Sequence, residues 1–327
     1  MRIGIAGNGS IVRRFLKDAS GAETVKTTSI CVRERSRDKG EELAREYGMK
    51  VYTDYEEFLR EGDMDTVYVG LINTQHYPYA KQALLAGKHV ICEKPLTVTA
   101  AQARELAALA EEKKLFLWEA FKLPWGTILP AVKEHVKELG PVRMVQCSYC
   151  RAGKAYEEYL AGAVRPVLDP ACAGGSLYDV NVYNLHFVMS LFGVPKKVCY
   201  TANQGRNGVD TSGTAILQYD GFLAVCTAAM DCSSDNFCMI QGEKGWIRTE
   251  GPISSASRAI LCLGGEEKVI ALQPEKGSLR PEIQAFARQL QTGDRTPCYE
   301  MLKHSVQVME VLEALRDQIP GRLPFLA

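Results

Sequence analysis

Over the first 120 residues, short apolar runs alternate with segments whose apolar positions recur at helical spacing. Arg2 to Ala6, Thr27 to Val32, Thr66 to Leu71, His89 to Cys92 and Leu115 to Trp118 read as strands. Ile11 to Ala19, Arg37 to Tyr47, Tyr77 to Ala86 and Thr99 to Lys113 read as helices between them. Asp54 and Glu57 form a helix start ahead of Phe58 and Leu59, Thr99 caps a later helix, and Gly87 ends another. Strands alternating with helices predict a parallel sheet covered on its faces. Past Lys122-Leu123-Pro124-Trp125 the pattern changes. One helix, Ile128 to Leu139, is followed by strand-like runs at 142–151, 197–203, 211–219, 222–230, 236–241, 246–250, 258–263 and 267–272. Consecutive strands joined by turns such as Asp220-Gly221 predict an open, mostly antiparallel sheet. Helices return at Pro281 to Leu290 and Leu302 to Gln318. The expected class is α/β in two domains, 1–120 and 121–327.

Charge narrows the partners. Lys plus Arg and Asp plus Glu number 39 each, so no net field draws nucleic acid or an anionic membrane. No apolar run reaches the roughly 18 residues that span a bilayer, and the N-terminus enters a strand at once with no export signal. The eleven cysteines are scattered, mostly in apolar runs, which predicts reduced, buried thiols in a cytoplasmic protein. Cys147 and Cys150 form a C-x-x-C, but on a strand they point to opposite faces and no second pair follows at zinc spacing. No metal is expected.

Candidate chemistry begins where the first strand meets the first helix. In Gly7-Asn8-Gly9-Ser10-Ile11-Val12 the glycines permit a tight turn and close approach of a pyrophosphate, while the helix N-terminus offers free N–H donors. The third small residue of G-x-G-x-x-G is replaced by Val12. After the second strand comes Arg33-Glu34-Arg35-Ser36. Glu34 suits the ribose hydroxyl of NAD, whereas Arg35 and Ser36 suit the 2′-phosphate of NADP. NADP is therefore the expected cofactor, with NAD as the alternative. The plain reading of the same four residues is a solvated turn that opens a helix.

Gly87-Lys88-His89-Val90-Ile91-Cys92-Glu93-Lys94-Pro95 resembles the Gfo/Idh/MocA oxidoreductases, whose Glu-Lys-Pro triplet follows such a strand. Ile72-Asn73-Thr74-Gln75-His76, Glu119-Ala120-Phe121 and the run from Asp169 to Gly193 are similar to the same family. That last run reads D-P-x-x-x-G-G-S-L-x-D-x-x-x-Y and ends L-F-G. The likeness covers most of the chain and leans towards the branch of dimeric dihydrodiol dehydrogenases and glucose–fructose oxidoreductases, with Tyr where inositol dehydrogenases have His. It implies a Rossmann domain, a substrate domain, a homodimer or homotetramer through the second sheet, and hydride exchange between a nicotinamide and a secondary alcohol or carbonyl of a sugar-like or diol-like small molecule.

On the residues themselves, Lys94 ends a parallel strand, where open α/β sheets bind ligands. Its ammonium can bond a substrate oxygen or favour ionisation of a neighbouring phenol; equally, it can pair with a carboxylate. Asp179 and Tyr183 lie four apart on an expected regular helix and so share a face. Tyr183 is then a proton carrier by family pattern and a core aromatic by spacing alone. The resemblance makes Lys94, Tyr183 and Asp179 catalytic. It adds Asn73, His76, Glu93 and Lys94 to Gly7, Gly9, Ser10, Ile11, Arg35 and Ser36 as cofactor contacts. Trp125, Tyr156, Arg165 and His186 are candidate substrate contacts. Two departures bear on the site: Asn181 replaces the usual glycine of D-x-G-x-Y, and Phe121-Lys122-Leu123-Pro124-Trp125 replaces an aromatic-and-arginine pattern. The rival functions are a non-catalytic NADP-binding regulator and an enzyme that oxidises and re-reduces within one turnover to drive elimination or glycoside cleavage.

Overall fold

The computed structural model describes residues 1–274 and 278–321. Its chain divides into two compact units, Met1–Ala120 with Ser278–Val306, and Phe121–Gly277 with Gln307–Ala327, taking the described residues of each. The division after residue 120 coincides with the change of pattern in the sequence. Residues 278–306, expected in the second domain, fall in the first unit.

In the first unit β1 (Arg2–Ala6), α1 (Ser10–Ala19), β2 (Lys26–Cys31), α2 (Arg37–Tyr47), β3 (Lys50–Tyr52), α3 (Tyr55–Glu61), β4 (Thr66–Val69), α4 (Asn73–Leu85), β5 (His89–Glu93), α5 (Ala100–Glu112) and β6 (Leu117–Ala120) alternate as expected. The strands order β3-β2-β1-β4-β5-β6, and every pairing is parallel. That order reverses direction between β1 and β4, so their carboxyl ends open a crevice suited to a dinucleotide. Covered strands must be apolar on both faces, and Ile3, Ile5, Val67, Tyr68, Val69, Val90, Ile91 and Cys92 are all fully buried. Phe15 of α1 stacks on Tyr68 at 3.8 Å between ring centres. The caps read from sequence are present. Asp54 accepts the Glu57 N–H at 2.7 Å, and Thr99 accepts the Gln102 N–H.

The second unit carries α6 (Ile128–His135), β7 (Val142–Cys150), α7 (Lys154–Leu160), a π-helical turn at Leu177–Asn181 and α8 (Val182–Phe192). Seven strands follow: β8 (Lys197–Gln204), β9 (Asp210–Tyr219), β10 (Phe222–Ala229), β11 (Phe237–Gly242), β12 (Gly245–Glu250), β13 (Arg258–Leu263) and β14 (Glu266–Leu272). They form an eight-stranded sheet in the order β14-β13-β12-β11-β7-β10-β9-β8. Its pairings are antiparallel except for β10 with β7. Side chains alternate between faces. Val145, Cys147, Leu217, Ala224, Cys226, Cys238, Ile240 and Ile247 are buried on one face. The register aligns Cys199, Ile216, Val225, Gln146, Met239, Arg248, Ile260 and Val269 in one row on the other. Two last helices, α9 (Arg280–Thr292) and α10 (Thr296–Arg316), complete the described chain. Helix α7 and the short β3 were not legible as elements, each being a few residues long.

Candidate active site

In the first unit a cleft of about 290 Å³ opens beside the turn after β1, lined by Gly7, Asn8, Cys31, Val32, Arg33, Thr53, Tyr55, Leu71, Ile72, Gln75 and Tyr79. Gly7 holds φ at +115°, a region that favours glycine, and a Cβ there would lie 2.4 Å from the Gly70 carbonyl oxygen. Gly9 is different. Its φ of −71° suits any residue and nothing lies within 4 Å of where its Cβ would project. The open space at Gly9 is the space a pyrophosphate needs. Behind it, α1 begins with no side-chain cap, so the first N–H groups of Ser10 and Ile11 have no capping side chain to occupy them. Ser10 is exposed and Ile11 half-buried. These features fit a dinucleotide.

Arg33, beside the expected specificity residues Arg35 and Ser36, is the member of that segment in the cleft lining. It is the second residue after β2 and lines the cleft with Thr53. Arg35 is exposed and outside the cleft lining, and Ser36 closes a short 3₁₀ turn, donating its N–H to the Arg33 carbonyl at 2.7 Å. Bonds from Thr53 and Arg37 hold the Glu34 carboxyl below its usual range. The sequence signal for Arg33 was present in the same tetrapeptide. What the sequence lacked was the turn that faces it inward. Tyr55 and Tyr79 wall the cleft, 4.4 Å apart, with the Tyr55 hydroxyl donating to the Tyr79 carbonyl. Burial pushes the Cys31 thiol up to about 12, so this lining group stays neutral.

The Glu-Lys-Pro segment has one accessible member. From Val90 to Val98 only Lys94 is partly exposed. Its neighbours are engaged in holding the turn: the buried Glu93 carboxylate accepts the Tyr68 hydroxyl at 2.7 Å, and Glu119 accepts the Leu96 N–H at 2.8 Å. The Lys94–Pro95 peptide is cis. His76 is 1% exposed, with Nδ1 2.8 Å from the Pro95 carbonyl and Nε2 3.1 Å from that of Leu71. Burial lowers its pKa against the pull of these carbonyls. His76 and Glu93, expected as cofactor contacts, are thus internal braces of the two turns. Asn73, half-buried, opens α4.

In the second unit Asp179 and Tyr183 stand out in the same way. From Ala173 to Met189 every residue is buried except these two. The regular helix expected through them is corrected: Leu177–Asn181 is a π-turn, with the Val182 N–H reaching back to the Leu177 carbonyl, and α8 begins only at Val182. Their common exposure is thus read from burial and not from the α-helical repeat. Asn181 points into the sheet. It is fully buried, donates to the Cys226 carbonyl at 3.0 Å and accepts from Asn184, tying the turn to β10. Its size relative to glycine is absorbed there. The Tyr183 ring lies 6.2 Å from that of Tyr149, and the Lys122 ammonium sits 5.9 Å from its centre. Lys122 holds a φ of +50°, uncommon for a residue with a side chain. Lys122 was read only as part of an unusual segment, and its contact with Tyr183 required the fold.

Of the expected substrate contacts, His186 is 0% exposed and stacks on Phe121 at 4.0 Å with 11° between planes. Arg165 is exposed and forms a two-bonded ion pair with Glu158. Tyr156 is half-buried and stacks on Tyr159 of α7, and Trp125 is half-buried in a 3₁₀ turn. Among the described residues no cluster of His, Cys, Asp or Glu is placed to hold a metal ion, and no helix is long and apolar enough to cross a membrane. The eleven cysteines are free, eight of them buried.

Residues 1–121 match the oxidoreductase family with an NAD-binding Rossmann fold, and residues 131–248 match the Gfo/Idh/MocA C-terminal domain. The chain belongs to the Gfo/Idh/MocA family. It is 29% identical to scyllo-inositol 2-dehydrogenase (NADP(+)) IolU of Bacillus subtilis, covering 98% of this chain and 97% of that one. It is 34% identical to trans-1,2-dihydrobenzene-1,2-diol dehydrogenase of Oryctolagus cuniculus, covering 90% and 91%. A crystal structure of KijD10, a 3-ketoreductase from Actinomadura kijaniata, with NADP and TDP-benzene superposes with a TM-score of 0.85 at 25% identity over 97% of each chain. The chain is an NAD(P)-dependent oxidoreductase of this family.

Proposed function

We propose that this Gfo/Idh/MocA oxidoreductase interconverts a secondary alcohol and a ketone on a sugar-like or diol-like small molecule, with NADP(H) as the preferred cofactor. The relatives' named substrates, a cyclitol and a dihydrodiol, support that class. The NADP named for two of them supports the cofactor. Gly7, Gly9 and the first N–H groups of α1 would hold the pyrophosphate, and Arg33 the 2′-phosphate. When bound, the nicotinamide supplies the hydride acceptor or donor.

The observation that carries the reading is the pair Asp179 and Tyr183, the sole partly exposed residues of a long buried segment. Tyr183 would pass the proton of the substrate hydroxyl as hydride leaves, and Asp179 would orient Lys94 or the substrate. The Lys122 ammonium lies at cation–π distance from the Tyr183 ring, 5.9 Å from its centre. Lys94 is assigned to the substrate oxygen as a hydrogen-bond donor. The test is steady-state turnover at the nicotinamide absorbance band over polyols, aldoses, amino sugars and aromatic diols. General acid–base catalysis is worth about 10²–10⁴-fold. Tyr183→Phe should lower kcat by that order with cofactor affinity unchanged. Lys94→Ala should be as damaging, and the double variant should cost less than the product of the two. Near-full activity in Tyr183→Phe would return that residue to the role of a core aromatic.

The outward face of the eight-stranded sheet exposes Ile216, Leu223, Val269 and Leu272 by 39% to 62%. Exposed apolar side chains on a sheet face are of the kind that marks an interface, and a homodimer or homotetramer through this face is part of the proposal. Free, mostly buried thiols fit a reducing compartment, so cytoplasmic residence is proposed with it.

A further inference from the structure

Asp210, the first residue of β9, is 4% exposed. One carboxylate oxygen, Oδ2, accepts the Leu177 N–H at 2.7 Å and the Tyr200 hydroxyl at 3.0 Å. Leu177 is the residue that opens the π-turn carrying Asp179. Two glycines make room for this arrangement. At Gly175, with φ of +118°, a Cβ would lie 2.0 Å from Asp210 Oδ1. At Gly213 a Cβ would lie 2.3 Å from the Tyr200 hydroxyl oxygen, so the tyrosine crosses β9 only because that position is bare. Gly175 is buried and Gly213 half-buried. Both are cleared for the same buried acid and its donor.

We propose that Asp210 is a positioning residue for the reaction, fixing the backbone of the turn that presents Asp179 and Tyr183. The inference rests on the assignment of Tyr183 to proton transfer. An ionised carboxylate holds an N–H about twice as strongly as a neutral acceptor and is favoured at a helix start. The turn is therefore set firmly while Asp210 is ionised and loosens when it is protonated. Among the described residues Tyr200 is the titratable side chain bonded to it, beside the backbone N–H groups of Leu177 and of Asp210 itself. Burial dominates and pushes the Asp210 carboxyl up to about 7, while the Leu177 N–H and the Tyr200 hydroxyl act in the opposite direction. Tyr200, itself raised by burial and then by the Asp210 charge, stays a donor throughout. Turnover should accordingly fall as pH drops through that range.

The experiment uses the full chain with NADPH and the keto form of scyllo-inositol, read as kcat and KM across pH. In this direction the ionisation of the proton donor limits the rate on the alkaline side, leaving the acid side to Asp210. Asp210→Asn should remove the acid limb and lower kcat at alkaline pH by about tenfold, the loss of one charged hydrogen bond, with the NADPH Kd unchanged. Tyr200→Phe should keep the limb and move it to higher pH, because the lost bond favoured the ionised form. It also stands in if Asp210→Asn fails to fold. Amide exchange over residues 175–185, corrected for intrinsic rates, gives a readout that needs no substrate, and both variants should show faster exchange there. An acid limb and an exchange pattern unchanged in both variants would overturn the proposal. Tyr183→Phe is run in parallel. A large loss there with no effect at Asp210 or Tyr200 removes the positioning role alone, whereas no loss there removes the catalytic assignment and this inference together.

Discussion

Arg33→Ala and Arg35→Ala, compared side by side, test which arginine reads the cofactor. Arg33 lines the cleft with Gly7, Asn8 and Thr53, whereas Arg35 is exposed and outside that lining. A hydrogen bond to a charged group contributes about 1.5–3 kcal/mol. Arg33 is exposed to solvent in the free protein, so screening places its contact with a 2′-phosphate in the lower half of that range. About 1.5–2 kcal/mol corresponds to a ten- to thirtyfold loss, at about 1.4 kcal/mol per decade. Arg33→Ala should weaken NADPH by that factor and NADH by less than about twofold. Arg35→Ala should change neither by more than about twofold, as expected for an exposed substitution. The assay is fluorescence titration of both reduced cofactors at fixed ionic strength. Repeating it at higher salt should shrink the Arg33 effect. Equal losses for NADPH and NADH in Arg33→Ala, or an NADPH-selective loss in Arg35→Ala alone, would refute the assignment.

Gly9→Val should leave the unfolding midpoint nearly unchanged, since its backbone φ is ordinary and nothing lies within 4 Å of the added carbon. The same change should abolish dinucleotide binding, measured by calorimetry, and a folded variant with unaltered affinity would show that this turn is only a turn. A paired Ile216→Lys and Val269→Lys variant, placing charges in one row of the outward sheet face, should lower the molar mass in light scattering to that of a single chain. An unchanged mass would move the interface elsewhere.

The strands and most helices were legible because each is a run with its own period and its own punctuation. The strands of the second sheet sit within one or two residues of where alternation placed them, and Asp54 and Thr99 cap the helices they were read to cap. The site was less legible, for a physical reason. A residue type at a spacing says what a side chain can do, but its surroundings decide whether solvent or substrate reaches it. His186 has the chemistry of a substrate contact and is spent in a stack with Phe121. His76 and Glu93 have the chemistry of ligands and are spent bracing turns. Arg33 and Arg35 differ only in which way a 3₁₀ turn faces them.

The π-turn shows how the geometry inferred from a motif can differ from the backbone that carries it. Asp179 and Tyr183 were joined by assuming a regular helix, where residues four apart stack on one face. The actual backbone widens between Leu177 and Asn181, and a wider turn carries more residues per revolution. Such a turn survives only where its surroundings over-determine it. Three bonds do so. Asp210 takes the Leu177 N–H, Asn181 ties the end of the turn to β10, and Asn184 follows with a bond to Asn181 and one to the Thr227 carbonyl. Each of these side chains is buried and polar, and each lies outside the proton-transfer pair that the motif advertises. In the proposed site the accessible residues of the motif would carry the chemistry, and the buried polar ones beside them would fix where it is offered. A substitution at Asn181 that restores the glycine of related chains should therefore loosen the turn before it alters the substrate, raising amide exchange over 177–184 while leaving the cofactor affinity of the first unit as it was.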